Sequence, residues 1–241
     1  MSISFVISTN AAKRNKTEIE IASIKKSLSH IGCKGQIIVS GSTEKFKDIP
    51  GIELAECEAD ANNGMLAKIR NIGAEKATED IIVFVDDDFL FPPTWVTRML
   101  EYDSANDWSV MTCKVLLPDE GRFWDRAIIK PHHLVPYSHP PTDPNLYITG
   151  GFWVMKRSVY ENNKWDDSIK IYGTNHGSKE NEDVNLSRRC HEKNIPLDFD
   201  RYNTVWHWDY NYKQNGKVVS RYNGDMQPSE KFKKDLKNAK P

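Results

Sequence analysis

The chain has 241 residues, enough to bury one large core, and its 33 basic side chains against 34 acidic ones give no electrostatic footprint for nucleic acid. No run of about 18 apolar residues occurs, and the opening MSISFVISTN is too short and polar for a signal peptide, so a chain without a membrane-spanning segment is expected. Cys33, Cys57, Cys113 and Cys190 make no C-x-x-C pair and read as reduced thiols, which fits the cytoplasm better than disulfides or a zinc site.

The first half alternates β-rich runs with helical patterns: SFVIS, a helix from Thr17 to about Ile31, QIIVS, a helix from Gly64 to Ala77, then IIVFV. Thr17 with Glu20 three residues on matches a capping box, and Ile21, Ile24, Leu28 and Ile31 follow at helical spacing. This βαβ order predicts an α/β fold with a mostly parallel central sheet flanked by helices, in a single domain. In such sheets ligands bind beyond the carboxyl ends of the strands. Ser8, Thr9 and Asn10 end the first strand and three aspartates end IIVFV, so the two ends are expected to border one pocket.

The second half changes character. From Leu116 to Tyr147 the chain is rich in Pro, His and aromatic residues with little periodicity, the composition of a functional loop or lid. YITGGFWVMKR reads as a strand with a glycine pair, Gly150 and Gly151, where backbone must approach something closely. The Gly-containing loop IYGTNHGSK, an acidic helix start in ENEDVNLSRRC and a last strand in TVWHWDYN follow. Residues 227–241 are polar and Lys-rich and read as a solvated tail or a terminal helix.

The segment VFVDDDFLF sets Asp86, Asp87 and Asp88 among apolar residues. Carboxylates this close repel one another, and a cation is the simplest compensation. On an extended segment, alternate residues share a side, so Asp86 and Asp88 would face one ion, with the Asp87 side chain on the other side. Mg²⁺ and Mn²⁺ take oxygen ligands, and at a nucleotide site one or two carboxylates suffice while phosphate and water complete the shell. Acidic clusters after strands also cap helices, so the stretch alone leaves both readings open.

Laid beside its neighbours, the motif resembles the Asp-x-Asp block of the GT-A nucleotide-sugar glycosyltransferases, in particular inverting family 2 and β-1,4-galactosyltransferase-type enzymes. NNGMLAKIRNIGAEKATEDIIVFVDDDFLFPPTW is similar to their helix, strand and Asp-x-Asp; YITGGFWVMKR to their Gly-Gly strand; WDDSIKIYG with ENEDVNLSRRC to their acceptor-side segment; and VWHWDYN to their late metal-binding histidine. The resemblance covers most of residues 1–212 and implies a GT-A (Rossmann-like) domain over 1–226, its nucleotide-binding half at about 1–115 and its acceptor-binding half at about 116–226.

It further implies Mn²⁺ or Mg²⁺ held by Asp88, His207 and Asp86, His207 favouring Mn²⁺. Donor-binding residues would be Ser8, Thr9, Asn10, Lys68, Arg70, Asp86, Asp87, Gly150 and Gly151. Asp183 would be the catalytic base, with Glu182 beside it. Partners would be a nucleotide-sugar donor, commonly UDP-linked, and a glycan or other hydroxyl acceptor, including one at a membrane face. One departure stands out: Ser40, Gly41 and Ser42 follow the second strand where family 2 enzymes commonly carry aspartate.

Without that resemblance, blander readings hold their ground. Glu180, Glu182 and Asp183 suit any helix N-terminus, His207 between two tryptophans suits a core, and Lys68 and Arg70 suit a solvated helix face. His132, His133 and His139 fit no zinc spacing. The competing functions are a retaining enzyme on the same fold, a sugar nucleotidyltransferase, whose Gly-rich basic loop STNAAKRNK lacks, and a non-catalytic sugar-binding module.

Overall fold

A computed structural model describes residues 2–169, 181–208, 211–214, 217–220 and 228–239. In chain order the first half runs β1 (Ile3–Thr9), α1 (Arg14–Ser29), β2 (Gly35–Gly41), β3 (Glu53–Glu56), α2 (Glu58–Asn62), α3 (Leu66–Lys76) and β4 (Ile81–Asp86). There follow β5 (Phe89–Leu90), α4 (Trp95–Ala105), β6 (Val110–Leu116), β7 (Arg126–Ile128), β8 (His133–Leu134), β9 (Leu146–Ile148), β10 (Phe152–Lys156) and α5 (Arg157–Glu161). The remainder is α6 (Glu182–Glu192), β11 (Leu197–His207), β12 (Asn211–Gln214), β13 (Lys217–Ser220) and α7 (Glu230–Ala239).

The main sheet has eight strands in the order β3-β2-β1-β4-β10-β6-β11-β5. The β3-β2, β2-β1, β1-β4 and β6-β11 pairings are parallel, whereas β10 runs antiparallel to both of its neighbours and β5 antiparallel to β11. All of β1 and all but the last residue of β4 are buried, as expected of strands covered on both faces, which read as continuous apolar runs. Alternate residues divide between two layers. Phe5, Ile7, Val83 and Val85 pack with Ile21 and Ile24 of α1 and with Trp95 and Met99 of α4. Val6, Ile82 and Phe84 pack with Ala67 and Ala74 of α3 and with Leu186 and Cys190 of α6.

Three local expectations are corrected. Helix α1 begins at Arg14, so Thr17 and Glu20 lie inside it and form no capping box: Thr17 Oγ1 donates to the Lys13 carbonyl (3.3 Å) and the buried Glu20 carboxylate accepts the Phe89 amide (3.4 Å). A partner from another element outcompetes the local motif. The stretch 116–147 is no bare loop, because β7, β8 and β9 make a small antiparallel sheet with Ala127, Leu146 and Ile148 buried. Strands of two or three residues are too short for periodicity to register. The last strand starts at Leu197 rather than Thr204, with a register shift between Asp200 and Thr204 that hides its alternation.

Within the Lys-rich end, α7 buries Phe232 and Ala239. Phe232 packs edge-on to Trp206 (ring centroids 5.5 Å apart), and Trp206 Nε1 donates to Asp235 (3.0 Å). The segment IYGTNHGSK lies outside the described residues, as do Glu180 and, in the late strand motif, Asp209 and Tyr210.

Candidate active site

The order β2-β1-β4 places a topological switch at the carboxyl ends of β1 and β4, where connections leave in opposite directions and open a crevice. Ser8 stands in register with Asp86 across the β1-β4 ladder, so both strand ends meet there. Gly41 closes one flank: its φ is +119°, and a Cβ on it would lie 2.0 Å from the Thr9 carbonyl oxygen, so only glycine fits. The serine-glycine stretch that ends β2 is thus packed directly against the end of β1.

Each aspartate has its own surroundings. Asp86 Oδ1 accepts from Arg70 Nη2 at 3.0 Å. Asp87 is buried and accepts the Thr9 hydroxyl at 2.5 Å, and Thr9 Oγ1 in turn accepts the Ala11 amide at 2.8 Å. Asp88 Oδ2 is 2.7 Å from Lys13 Nζ, and its Oδ1 faces His207 Nε2 at 3.5 Å. His207 reaches this point because β5 pairs antiparallel with β11, setting His207 opposite Phe89, while the Trp208 amide donates to the Asp88 carbonyl (3.1 Å). Phe123 stacks on the imidazole, ring centroids 4.1 Å apart and planes 10° off parallel. Burial, then the Asp88 charge, lifts Asp87 to about 7; Glu20, enclosed beneath the turn, is also raised well above the usual carboxylate range, chiefly by burial and then by Asp87 and Asp88.

Arg70 ties this turn to the glycine pair. Its fully buried guanidinium donates to Asp86, to Glu182 Oε1 (3.3 Å) and to the Gly150 carbonyl, and lies 4.5 Å from the Trp165 ring centroid. A Cβ on Gly150 would lie 3.2 Å from Glu182 Oε1 and 3.6 Å from Asp183 Oδ2. One on Gly151 would lie 3.1 Å from the Phe89 ring and 3.5 Å from Asp86 Oδ2. The bare backbone therefore runs between two sets of carboxylates, and any side chain would fill the gap.

Glu182 and Asp183 open α6 and are both buried. Desolvation raises both pKa values; the Asp183 charge adds to the rise of Glu182 and Arg70 opposes it, while the Val184 amide, 2.7 Å from Asp183 Oδ1, holds Asp183 back. Next to them, Thr149 donates through Oγ1 to the Trp124 carbonyl (2.8 Å), and the partly exposed Trp124 ring packs on His132 with centroids 4.6 Å apart.

Of the residues singled out from sequence, Ser8, Thr9, Arg70, the three aspartates, Gly150, Gly151, Glu182, Asp183 and His207 line this crevice or its walls. Lys68 does not reach it, since its ammonium pairs with Asp60 on α2 at 2.9 Å. Asn10 is exposed, its side-chain oxygen Oδ1 accepting the Ala12 amide. Lys13, Glu20, Phe123 and Trp165 were not among those candidates. Lys13 carried one available signal, a basic residue just after a strand end that borders a pocket.

A divalent cation fits the chemistry around Asp88. Its Oδ1 is buried and accepts no hydrogen bond among the described residues, while an imidazole nitrogen faces it. No three His, Cys, Asp or Glu side chains among the described residues converge into a complete metal site, so a bound ion would draw the rest of its shell from ligand oxygens and water.

A curled, mostly parallel sheet flanked by helices, with an acidic turn at the switch point, defines the class at the level of fold: the chain has a GT-A-like fold. The family model described as glycosyl transferase family 2 matches residues 54–163, from β3 to just past α5. Among solved structures, GalNAc-T7 with UDP, GalNAc and Mn²⁺ is similar over 90% of this chain and 45% of its own, at TM-score 0.65 and 15% identity. S. aureus TarS (1-349) is similar over 86% of this chain and 60% of its own, at TM-score 0.56 and 12% identity. The chain thus spans roughly half of each, 45% and 60%. No curated protein sequence matches it significantly.

Proposed function

We propose that the protein moves a sugar from a nucleoside-diphosphate sugar, with UDP the leading candidate, to an acceptor hydroxyl on a glycan, with inversion at the anomeric carbon. The observation that carries this reading is the convergence on Gly150 and Gly151 of two carboxylate groups, Asp86 on one side and Glu182 with Asp183 on the other, joined by the buried Arg70. In the reading, residues 1–115 hold the donor and 116–226 shape the acceptor side.

Mn²⁺ or Mg²⁺, held by Asp88 and His207, would stabilise charge on the leaving diphosphate. Asp86, fixed by Arg70, borders the donor together with Ser8, Thr9 and Asp87. The glycine pair lets the sugar lie against main chain. On the opposite side Asp183 takes the acceptor proton as the new bond from acceptor oxygen to anomeric carbon forms and the bond to the diphosphate breaks. Burial makes Asp183 a stronger base than an exposed aspartate. Glu182 keeps Arg70 in place, and Trp124 with His132 offers the acceptor an apolar wall beside Thr149.

No helix among the described residues is long and apolar enough to cross a membrane. The proposed setting is the cytoplasm, with acceptors that include glycans presented at a membrane face. The test is a panel of nucleotide sugars incubated with Mn²⁺ or with chelator and scored for released nucleoside diphosphate. Release from one donor class, lost with chelator, is the expected result; no binding or turnover of any donor overturns the reading.

A further inference from the structure

Lys13 stands where the chain turns out of β1. Ala11 takes a left-handed conformation (φ 58°), the strand ends at Thr9, and Lys13 becomes the residue before α1, with φ −115° and ψ 37°. Its ammonium lies 2.7 Å from Asp88 Oδ2 and 3.9 Å from Asp87 Oδ1. The two ends of this pair differ: the lysine side chain is 36% exposed, the Asp88 side chain only 5%. A compact charge on a flexible stem that remains partly hydrated can leave, whereas the buried carboxylate must keep a cation. A divalent ion seated between Asp88 and His207 would therefore meet a cation already bound to one of its ligands, and two cations sharing one carboxylate repel at short range.

We propose that Lys13 is a built-in counter-ion for Asp88 that yields its place to the divalent metal and moves onto the diphosphate of the donor, so that metal and nucleoside diphosphate bind as a mutually dependent pair. The inference rests on the reading of Asp88 as a metal ligand. Metal alone must displace that ammonium from its 2.7 Å contact with Asp88, a cost that a second strong anion within reach would offset. When the diphosphate arrives, it offers that anion, and each ligand raises the affinity of the other by the same factor. A purely structural lysine would steady the start of α1 without changing how the two ligands depend on each other.

The experiment measures Mn²⁺ binding to the intact chain by electron paramagnetic resonance, with and without UDP, for wild type, Lys13→Met and Lys13→Arg. Without UDP, Lys13→Met is expected to bind Mn²⁺ about tenfold more tightly, because a charge-assisted contact no longer competes. With Mn²⁺ saturating, UDP is expected to bind the same variant about tenfold more weakly, so the mutual enhancement shrinks from both sides. Lys13→Arg keeps the charge and should stay near wild type in Mn²⁺ affinity; tight metal binding by this variant overturns the proposal even if the Met variant fails to fold. Unchanged Mn²⁺ affinity in a folded Lys13→Met overturns it while leaving the metal reading intact. Absence of Mn²⁺ binding in wild type, even with UDP, removes the metal reading and the proposal with it.

Discussion

The two walls of the crevice, the proposed donor wall and the proposed acceptor wall, manage negative charge differently. On the donor wall, the aspartates are compensated one by one: Asp86 by Arg70, Asp87 by the Thr9 hydroxyl, Asp88 by Lys13. On the acceptor wall, Glu182 and Asp183 lie adjacent and buried, with one guanidinium near them that is already shared with Asp86. Carboxylates with individual partners are held in place and suit fixed binding roles. Burial raises pKa values on both walls, Asp86 and Asp87 included, so what sets Glu182 and Asp183 apart is that they are adjacent and share one cation, an arrangement that suits proton transfer.

The sharpest way to break this comparison is to substitute one residue on each wall. Asp183→Asn is expected to lower turnover on the order of 10²- to 10⁴-fold while donor affinity in a binding titration stays near wild type. Asp88→Asn should do the reverse, removing metal-dependent nucleotide binding in calorimetry with the melting curve preserved. Matching losses of affinity in both variants would erase the distinction between the walls.

Removing the link between them is the next largest effect. Arg70→Met strips the buried cation from Asp86 and Glu182, and loss of one partner from a buried pair costs about 3–5 kcal/mol. Chemical denaturation should report that loss, greatest at high pH where both carboxylates are ionised. A smaller effect is expected at the acceptor wall's rim: Trp124→Ala should raise the acceptor KM about tenfold and leave the donor KM within about twofold, as loss of one aromatic contact face implies.

The smallest effect concerns pH and stability. Asp183 has a folded-state pKa above its unfolded value, so its contribution to stability is fully present below the unfolded value and is lost as pH rises through the folded one. Asp183→Asn is therefore expected to melt a few degrees higher than wild type above neutral pH and to match it in acid. Turnover of the wild type should fall on the acid side at a pH above the ordinary carboxylate range, since the base must be ionised to act. Equal melting temperatures at both pH values would argue that Asp183 is not desolvated.

How much of this was legible in the sequence follows from how local each signal is. The βαβ order of the first half showed because β1 and β4 are continuous apolar runs joined by amphipathic helices, and the pocket was placed by the strand ends that carry Thr9 and Asp86. The Gly150-Gly151 pair announced a close approach, but not that carboxylates stood on both sides of it. The antiparallel insertion of β10 between β4 and β6 was not legible, since pairing partners leave no mark on a strand's own pattern. Glu20 was misread for a related reason: its spacing from Thr17 matched a cap, while its actual partner, the Phe89 amide, lies in another element. Lys68 and Arg70, two residues apart on α3, point to different partners, Asp60 and the crevice, a divergence set by how α3 packs on β1 and β2 with α2 at its side.

Helix α7 gives the crevice a handle from behind the strand that carries His207. Phe232 and Asp235 grip Trp206, and the next residue on that strand is His207, so the last helix acts as a wedge behind the imidazole. Fusion partners or proteolytic cuts at this end would be transmitted to His207 as lost support rather than lost contact. Phe232→Ala, which empties a buried ring position at a cost of about 3–5 kcal/mol, would loosen that support without touching the crevice. Among the described residues, α7 thus works as an adjustment screw that acts on His207 through its neighbour Trp206.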